Sequence, residues 1–321
     1  MKEIPLPYRL LIKRIRKEDR KYESILLYGK KIIIPTRTGR VRALLYKPAI
    51  LRPDMPVLFD FHGGGFVFGL PEMDDVFCRE LCERLGIVVI SGDYRLAPEH
   101  PYPTGLEDCY ALIEAVHRNA KKYGIDPNRM AVCGHSAGAN LATVLTILAS
   151  ERREFTLKCQ ILDYPTVDFR SDIGHRDSPL GSIPPPIMQM FEDCYCEPEQ
   201  LSDIYVSPLL ADHSILAQLP PAIIISAGID CLKAENWKYA EKLREAGVHT
   251  EHYHYDEVAH NFTISAFSPV TLSYANFLPG TTNIIEVQEK AEDAISNMSH
   301  FLIKYLISDC DQDGTPCYQP S

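Results

Sequence analysis

The residues with the clearest potential for chemistry surround Ser136, in the stretch Gly134-His135-Ser136-Ala137-Gly138. A strand-forming run precedes this stretch and a helix-forming run follows it. A G-x-S-x-G sequence between a strand and a helix is typical of the nucleophile elbow, a tight turn that lifts the serine hydroxyl clear of the backbone. The helix that follows directs the positive end of its dipole at the same point, which favours developing negative charge. An ordinary glycine-bounded turn is the alternative, and the rest of the chain must decide between the two.

A second glycine-rich stretch, His62-Gly63-Gly64-Gly65, follows an apolar run typical of a buried strand. Successive glycines leave backbone N–H groups uncovered by side chains, and such groups can converge on an oxygen that gains charge during acyl transfer. We therefore predict that Gly63, Gly64, Gly65 and Ala137 form an oxyanion hole. A phosphate-binding loop is the competing interpretation, but the stretch contains neither G-x-G-x-x-G nor G-K-S/T.

A serine hydroxyl is a weak nucleophile at neutral pH, so a base must accept its proton and an acid must orient that base. After a nucleophile elbow, the acid and then the base follow the serine along the chain. Asp230 comes at the end of the apolar run 223–229 and is the predicted acid. His260 follows the last predicted strand and is the predicted base.

Other side chains compete for these roles. Asp168, Asp172 and Glu235 are alternative acids, although Asp168 precedes a long insertion and Glu235 lies one turn into a predicted helix. His252 and His254 alternate onto one face of a predicted strand, where a two-ligand metal site is conceivable. The sequence offers no third ligand nearby, so ordinary strand histidines are the simpler interpretation.

The segments that must position these residues alternate between apolar strands and helices from Pro56 onward. This alternation indicates an α/β fold with a mostly parallel sheet that helices cover on both faces. Between Asp168 and Leu219 the alternation stops, and we predict a lid or cap there; a surface excursion without a role is the alternative. Residues 1–24 predict a short, charged amphipathic helix, which either covers the domain or touches a membrane.

Length and composition limit the classes of protein. The chain has 321 residues, of which 45% are hydrophobic, and its formal net charge is −10. These values predict a sizeable core and argue against nucleic acid or an anionic membrane as the main partner. The chain start lacks the apolar run of a secretory signal, and no stretch approaches the roughly 20 apolar residues of a membrane span. We therefore expect a cytoplasmic protein without stable membrane insertion.

The sequence gives little sign of a metal site or a cofactor. The ten cysteines include no C-x-x-C pair, so we predict buried thiols instead of metal ligands. Residues 309–314 match the opening of a calcium-binding loop, but Pro320 stands where that loop needs a glutamate. An acidic frayed tail is the simpler interpretation. We predict no metal and no organic cofactor.

Taken together, the motifs resemble those of the hormone-sensitive-lipase-like group of α/β-hydrolases, which includes small microbial carboxylesterases and acetyl esterases with an HGGG sequence. The resemblance runs from about Val57 to the final helix and includes the distinctive run DYRLAPEHPYP at 93–103. It implies an α/β-hydrolase fold in which residues 1–321 form one domain. It also implies a small helical cap, built from about residues 1–24 and an insertion at about 175–205.

The resemblance implies a serine carboxylesterase that hydrolyses short-chain esters, from acetyl to about hexanoyl, through an acyl-enzyme. Ser136 corresponds to the nucleophile, Asp230 to the orienting acid and His260 to the general base. The expected partner is a small-molecule ester, and the resemblance allows a homodimer. An amidase or peptidase on the same scaffold and a non-catalytic small-molecule receptor stay open as alternatives.

Four further side chains are predicted to bind substrate: Phe66, Phe68, His135 and Asn261. Phe191 or Tyr195 is expected to stand with them at the mouth of the site. Two of these positions depart from the pattern of the group, because His135 replaces a frequent aspartate and Asn261 replaces the usual glycine after the base. A side chain at position 261 could shift the loop of His260 or line the site.

Overall fold

A computed structural model describes residues 4–24, 27–171, 173–267 and 284–308. Its centre is a single eight-stranded sheet. The strands are β1 (Lys30–Thr36), β2 (Gly39–Tyr46), β3 (Met55–Phe61), β4 (Val88–Asp93), β5 (Ile125–His135), β6 (Gln160–Asp163), β7 (Ala222–Ile229) and β8 (Thr250–Ala259). Asp172 and the calcium-loop resemblance at 309–314 lie outside the described residues.

The strands lie in the order β1-β2-β4-β3-β5-β6-β7-β8. The β1–β2 and β2–β4 pairs are antiparallel. The pairs from β4 through β3, β5, β6 and β7 to β8 are parallel. The carboxyl ends of six neighbouring strands therefore meet at one edge of the sheet, where the loops after β3, β5, β7 and β8 carry the residues predicted to do chemistry.

The helices follow the strands in the predicted alternation. They are α1 (Leu6–Asp19), α2 (Asp75–Leu85), α3 (Thr104–Arg118), α4 (Ala120–Tyr123), α5 (Ala137–Arg152), α6 (Pro185–Tyr195), α7 (His213–Leu216), α8 (Lys233–Glu245), α9 (Phe262–Ser265) and α10 (Ile284–Leu302). The segment between β4 and β5 forms two helices, α3 and α4, because the chain leaves helical geometry at Asn119. Among these helices, none is both long enough and apolar enough to cross a membrane.

Helices cover both faces of the sheet, as the sequence predicts. Alternate side chains of a strand point to opposite faces, and neighbouring residues of β3 accordingly belong to different hydrophobic clusters. Phe59 packs in a cluster with residues of α3, α5 and α8. Leu58 packs in another, with residues of α2 and α10. This two-sided burial explains why β3 reads as a continuous apolar run instead of an alternating one.

The insertion between β6 and β7 contains α6, which packs against α1. Ile12 of α1 and Met190 of α6 share a hydrophobic cluster with Val67 and Phe68 from the glycine-rich loop. Arg16 anchors α1 further, because its Nε donates to the carbonyl oxygen of Val67 at 2.8 Å. The two segments predicted to form a cap thus meet over the loop that follows β3.

Gly138 lies where the first turn of α5 approaches β3 most closely. A Cβ atom at Gly138 would be 1.9 Å from the carbonyl oxygen of Phe61, and a Cβ atom at Gly134 would be 2.1 Å from the carbonyl oxygen of Gly138. Real Cβ atoms do not approach backbone atoms so closely. The strand, the turn and the helix therefore fit together only with glycine at both positions.

We expect Gly138→Ala to lower the free energy of unfolding by about 3 kcal/mol, since the added methyl group would meet backbone that no side-chain rotation can move. Gly247→Ala is the control, because Gly247 has a φ of +85° with nothing within 4 Å of an added Cβ. Backbone strain alone should cost about 1 kcal/mol there. Urea unfolding measures both values, and equal costs would contradict the close approach.

Candidate active site

Ser136 occupies the turn between β5 and α5 in a strained backbone conformation, with φ 55° and ψ −112°. Such angles cost a non-glycine residue of order 1–3 kcal/mol and persist only where the surroundings enforce them. The Ser136 N–H donates to the carbonyl oxygen of Asp163 at 2.8 Å, which ties the turn to the end of β6. The side chain lines a cavity at the carboxyl edge of the sheet. The G-x-S-x-G stretch thus has the geometry of a nucleophile elbow.

The structure brings Ser136, His260 and Asp230 together. His260 Nε2 lies 2.9 Å from Ser136 Oγ, and His260 Nδ1 lies 2.8 Å from Asp230 Oδ2. Asp230 is fully buried, and its other carboxylate oxygen accepts from the Leu232 N–H at 3.1 Å. A carboxylate only accepts, so Nδ1 carries the proton and Nε2 is left to accept the serine proton. The arrangement can activate Ser136 as a nucleophile.

The glycine-rich loop lies beside Ser136, and Gly63, Gly64 and Gly65 all line the same cavity. Gly64 has a φ of +113°, and a Cβ atom there would be 2.5 Å from the carbonyl oxygen of Phe68. In the described part of the chain, the N–H groups of Gly64 and Gly65 donate to no protein acceptor. Ala137 is the first residue of α5, where N–H groups have no partner within the helix. Ser136 and the glycines of this loop thus share one cavity, and Ala137 follows Ser136 directly.

The cavity has a volume of about 520 Å³ and mostly apolar walls. Leu11 and Ile15 of α1 form one side, and Phe191 of α6 lies against Gly65. Phe68 and Asn261 line it as predicted. Besides Ser136 and His260, the polar side chains in the wall are Asp74, Glu257, Asn261 and Ser265.

Phe66 does not line the cavity, contrary to the prediction, and of the two alternatives at the mouth Phe191 lines it whereas Tyr195 does not. Phe66 is only 2% exposed and stacks on Tyr195 with a distance of 3.6 Å between ring centroids. Backbone with positive φ at Gly64, Gly65 and Phe66 turns the chain at this point, so Phe66 enters the core while Phe68 reaches the cavity. The direction of each side chain depends on this turn, which the sequence motif did not specify.

His135 is also absent from the cavity wall, and it is 1% exposed. Its Nδ1 lies 2.8 Å from Asp163 Oδ2, and its Nε2 lies 3.3 Å from Asp60 Oδ1. Burial opposes a charge on this ring, but Asp74, Asp163 and Asp60 outweigh burial and raise the pKa of His135 well above its usual value. His135 therefore belongs to a buried charged cluster beneath the nucleophile elbow and not to the substrate surface.

Asp74 joins this cluster to the cavity. Burial raises the pKa of its carboxyl group well above the usual range. Asp60, Cys133 and His135 also have potential ligand atoms within 4.8 Å of one another. Burial raises the pKa of the Cys133 thiol to about 12, which leaves a poor metal ligand at neutral pH. We interpret the three residues as part of the charged cluster.

The alternative acids that the structure describes lie away from the base. Asp168 accepts a hydrogen bond from the Arg170 N–H at 3.0 Å. Glu235 accepts from the Val167 N–H at 2.6 Å and pairs with Arg176 at 3.0 Å. Burial raises the pKa of Glu235 to about 7. Both carboxyl groups hold the start of the insertion in place.

His252 and His254 contact the same serine from strand β8. His252 Nε2 and His254 Nδ1 each lie 2.8 Å from Ser226 Oγ, and His254 Nε2 lies 3.2 Å from Asp256. Ser226, His254 and Asp256 thus repeat the residue types of a catalytic triad. Ser226 is fully buried, however, and no substrate can reach it. These histidines are structural, and they provide a control for experiments on His260.

Sequence reasoning missed several residues around the site. The sequence does not indicate that Asp74, which lies just before α2, belongs to the site. An acidic residue at the start of a helix is already explained by its favourable interaction with the helix dipole. Leu11 and Ile15 are apolar positions of an amphipathic helix and read as ordinary packing residues. Their part in the cavity follows only from the contact between α1 and α6.

Comparison with known proteins places this site in a family. Residues 58–264 match the sequence profile of a family with the alpha/beta hydrolase fold. Carboxylesterase NlhH of Mycobacterium tuberculosis is 36% identical over 213 residues, which cover 64% of this chain and 66% of NlhH. A hyperthermophilic esterase from the archaeon Pyrobaculum calidifontis superposes with a TM-score of 0.74 at 33% identity, covering 92% of this chain and 93% of that one. The chain therefore belongs to the α/β-hydrolase family.

The resemblance to the hormone-sensitive-lipase-like carboxylesterases is confirmed by these relatives. A thermostable esterase from Pseudomonas putida ECU1011 adds a further structural match, with a TM-score of 0.75 at 28% identity over 88% of this chain and 91% of that one. The sequence match to NlhH spans just under two thirds of that protein's length.

We expect His135→Ala to lower the free energy of unfolding by about 3–5 kcal/mol, because it leaves Asp163 and Asp60 buried without their cation. His213→Ala is the control: His213 faces Glu245 at 3.6 Å, but both side chains are 57% exposed. Its loss should cost less than about 0.5 kcal/mol. Urea unfolding at neutral pH compares the two, and a small effect at position 135 would argue against the charged cluster.

Proposed function

We propose that the protein is a serine carboxylesterase. The observation that carries this proposal is the hydrogen-bonded series Ser136–His260–Asp230 at the floor of an apolar cavity, beside glycines with free N–H groups. The names of the matched proteins support it, since NlhH is a carboxylesterase and the two structural matches are esterases. A receptor would not need free N–H donors in the cavity that Ser136 lines.

The proposed reaction has two similar steps. Ser136 Oγ attacks the carbonyl carbon of the ester while its proton moves to His260 Nε2, and Asp230 stabilises the imidazolium that forms. The oxyanion accepts hydrogen bonds from the N–H groups of Gly64, Gly65 and Ala137, each of which can contribute about 10²–10³ in rate. The intermediate collapses, His260 protonates the leaving alcohol, and water then repeats the sequence on the acyl-enzyme.

The walls of the cavity limit which alcohol and acyl groups a bound ester can have. Apolar side chains from α1 and α6 could pair few of the hydroxyl groups of a bound sugar, and an unpaired buried hydroxyl costs free energy. We therefore infer that aryl and alkyl esters with short acyl chains are better substrates than acetylated sugars. In this proposal α1 and the insertion act as the cap, which covers the apolar groups of the bound ester.

A fluorophosphonate probe tests the nucleophile directly. We expect it to label the folded protein at Ser136 and to leave Ser136→Ala unlabelled. His260→Ala should lower kcat/KM for p-nitrophenyl acetate at least about 10³-fold. The matched control is His254→Ala, which should keep most of the activity because Ser226 is not accessible.

Two outcomes would contradict the proposal. One is folded protein that the probe does not label, and the other is a greater loss of activity in His254→Ala than in His260→Ala. A matched pair of an ester and an amide substrate separates carboxylesterase from amidase, and faster turnover of the amide would replace the first assignment with the second.

Phe191 is expected to limit the length of the group that the cavity accepts, because its ring lies against Gly65 and meets the Phe68 ring edge-on at 5.6 Å between centroids. Phe191→Leu and Phe191→Ala should progressively raise kcat/KM for p-nitrophenyl octanoate relative to acetate, by about tenfold in total. Phe155→Leu controls for general loosening, since Phe155 packs on Tyr110 away from the cavity. An unchanged ratio would mean that the octanoyl chain does not pass Phe191.

A further inference from the structure

The charge on His135 follows from geometry. Both of its ring nitrogens face carboxylate oxygens, Nδ1 that of Asp163 at 2.8 Å and Nε2 that of Asp60 at 3.3 Å. An ionised carboxylate cannot donate, so Nδ1 carries a proton, and the second carboxylate close to Nε2 favours a proton there as well, which makes the ring an imidazolium. Ser91 Oγ and Cys78 Sγ donate to the other oxygen of Asp60. A buried positive charge thus lies one residue before the nucleophile.

Asp163 connects this cation to the loop of the base. The Oδ2 atom that contacts His135 also accepts a hydrogen bond from Thr263 Oγ1. Thr263 lies on α9, three residues after His260. Asp163 and Thr263 are fully buried, so water does not compete for these bonds. The bridge His135–Asp163–Thr263 therefore joins the residue before Ser136 to the helix after His260.

Tyr164 adds a second contact between the two parts of the site. The Thr263 hydroxyl donates its proton to Asp163, so it accepts from the Tyr164 hydroxyl, which lies 3.0 Å away. The Tyr164 hydroxyl also donates to Asn261 Oδ1 at 3.2 Å. The Tyr164 ring meets the His260 ring edge-on, with 4.7 Å between centroids. Residues 163 and 164 thus contact the base and the residues on its C-terminal side.

We propose that Thr263 is a positioning residue that, through Asp163 and the His135 cation, holds His260 at the distance from Ser136 that proton transfer needs. The proposal deepens the esterase assignment and rests on it. A charge-assisted hydrogen bond is stronger than a neutral one, and burial strengthens it further. The short helix α9 has four residues and little stability of its own, so contacts of this kind must fix its place. A misplacement of about 1 Å can cost 10²-fold in rate.

The test replaces Thr263 by valine, which keeps the shape of the side chain and removes its O–H group. Thr263 is fully buried and does not line the cavity, so substrate binding should not change. We expect kcat for p-nitrophenyl acetate to fall about tenfold with KM within about twofold of its original value. The rate at which a fluorophosphonate labels Ser136 should fall in parallel, and Thr263→Ser should restore both rates.

Thr143→Val is the matched control. It removes an equally buried threonine hydroxyl, which bonds the Tyr239 hydroxyl at 2.7 Å away from the site. We expect this variant to keep its kcat even where its melting temperature falls. Loss of kcat in both variants, in proportion to lost stability, would overturn the proposal, and so would a Thr263→Val protein with unchanged kcat and labelling rate.

The labelling rate separates this proposal from the esterase assignment. The probe reacts with Ser136 whether or not any tested ester is a substrate, so it measures the Ser136–His260 contact on its own. Slow labelling of Thr263→Val that Thr263→Ser reverses would support the positioning role even if ester hydrolysis were absent. Ester hydrolysis with equal labelling rates in all variants would support the assignment and overturn the positioning role.

Discussion

The site depends on a close approach between backbone segments at Gly138. The first turn of α5 lies against the carbonyl group of Phe61 so closely that no side chain fits between them. This contact brings the end of β3 next to the start of α5, and with them the loop 63–65 next to Ser136. The N–H donors for an oxyanion and the nucleophile therefore lie side by side because the backbone at the end of β3 contacts the backbone at the start of α5. The strained φ of Ser136 is the local cost of that arrangement.

Much of the fold and the reacting residues could be predicted from the sequence, because both depend on local patterns. Apolar runs bounded by glycine and proline marked the parallel strands, and the order of Ser136, Asp230 and His260 along the chain selected three residues that the structure brings into contact. The surroundings could not be predicted in the same way. Phe66 and Phe68 are chemically alike, and only the turn with positive φ between 64 and 66 decides which of them reaches the cavity.

His135 shows a second limit of sequence reasoning. Its position next to the nucleophile suggested a residue that touches substrate, whereas the elbow directs neighbouring side chains to opposite sides. The charge it carries is stable only because residues from three strands meet there: Asp60 at the end of β3, His135 at the end of β5 and Asp163 at the end of β6. No stretch of sequence contains more than one of them, so a buried cluster of this kind becomes visible only when the sheet is assembled.

The same assembly accounts for asparagine at position 261. The backbone there has a φ of 72°, a conformation that glycine adopts freely and that asparagine tolerates better than most residues. Its side-chain oxygen accepts from the Tyr164 hydroxyl at 3.2 Å, so the departure from glycine adds a hydrogen bond at a residue that also lines the cavity. Hydrogen bonds from Tyr164 to Asn261 and Thr263, and from Thr263 to Asp163, then link the residues that follow the base to the His135 cation. A buried charge in this protein can thus help to hold His260 in position without touching the substrate. This role accounts for a charge whose removal from water costs free energy.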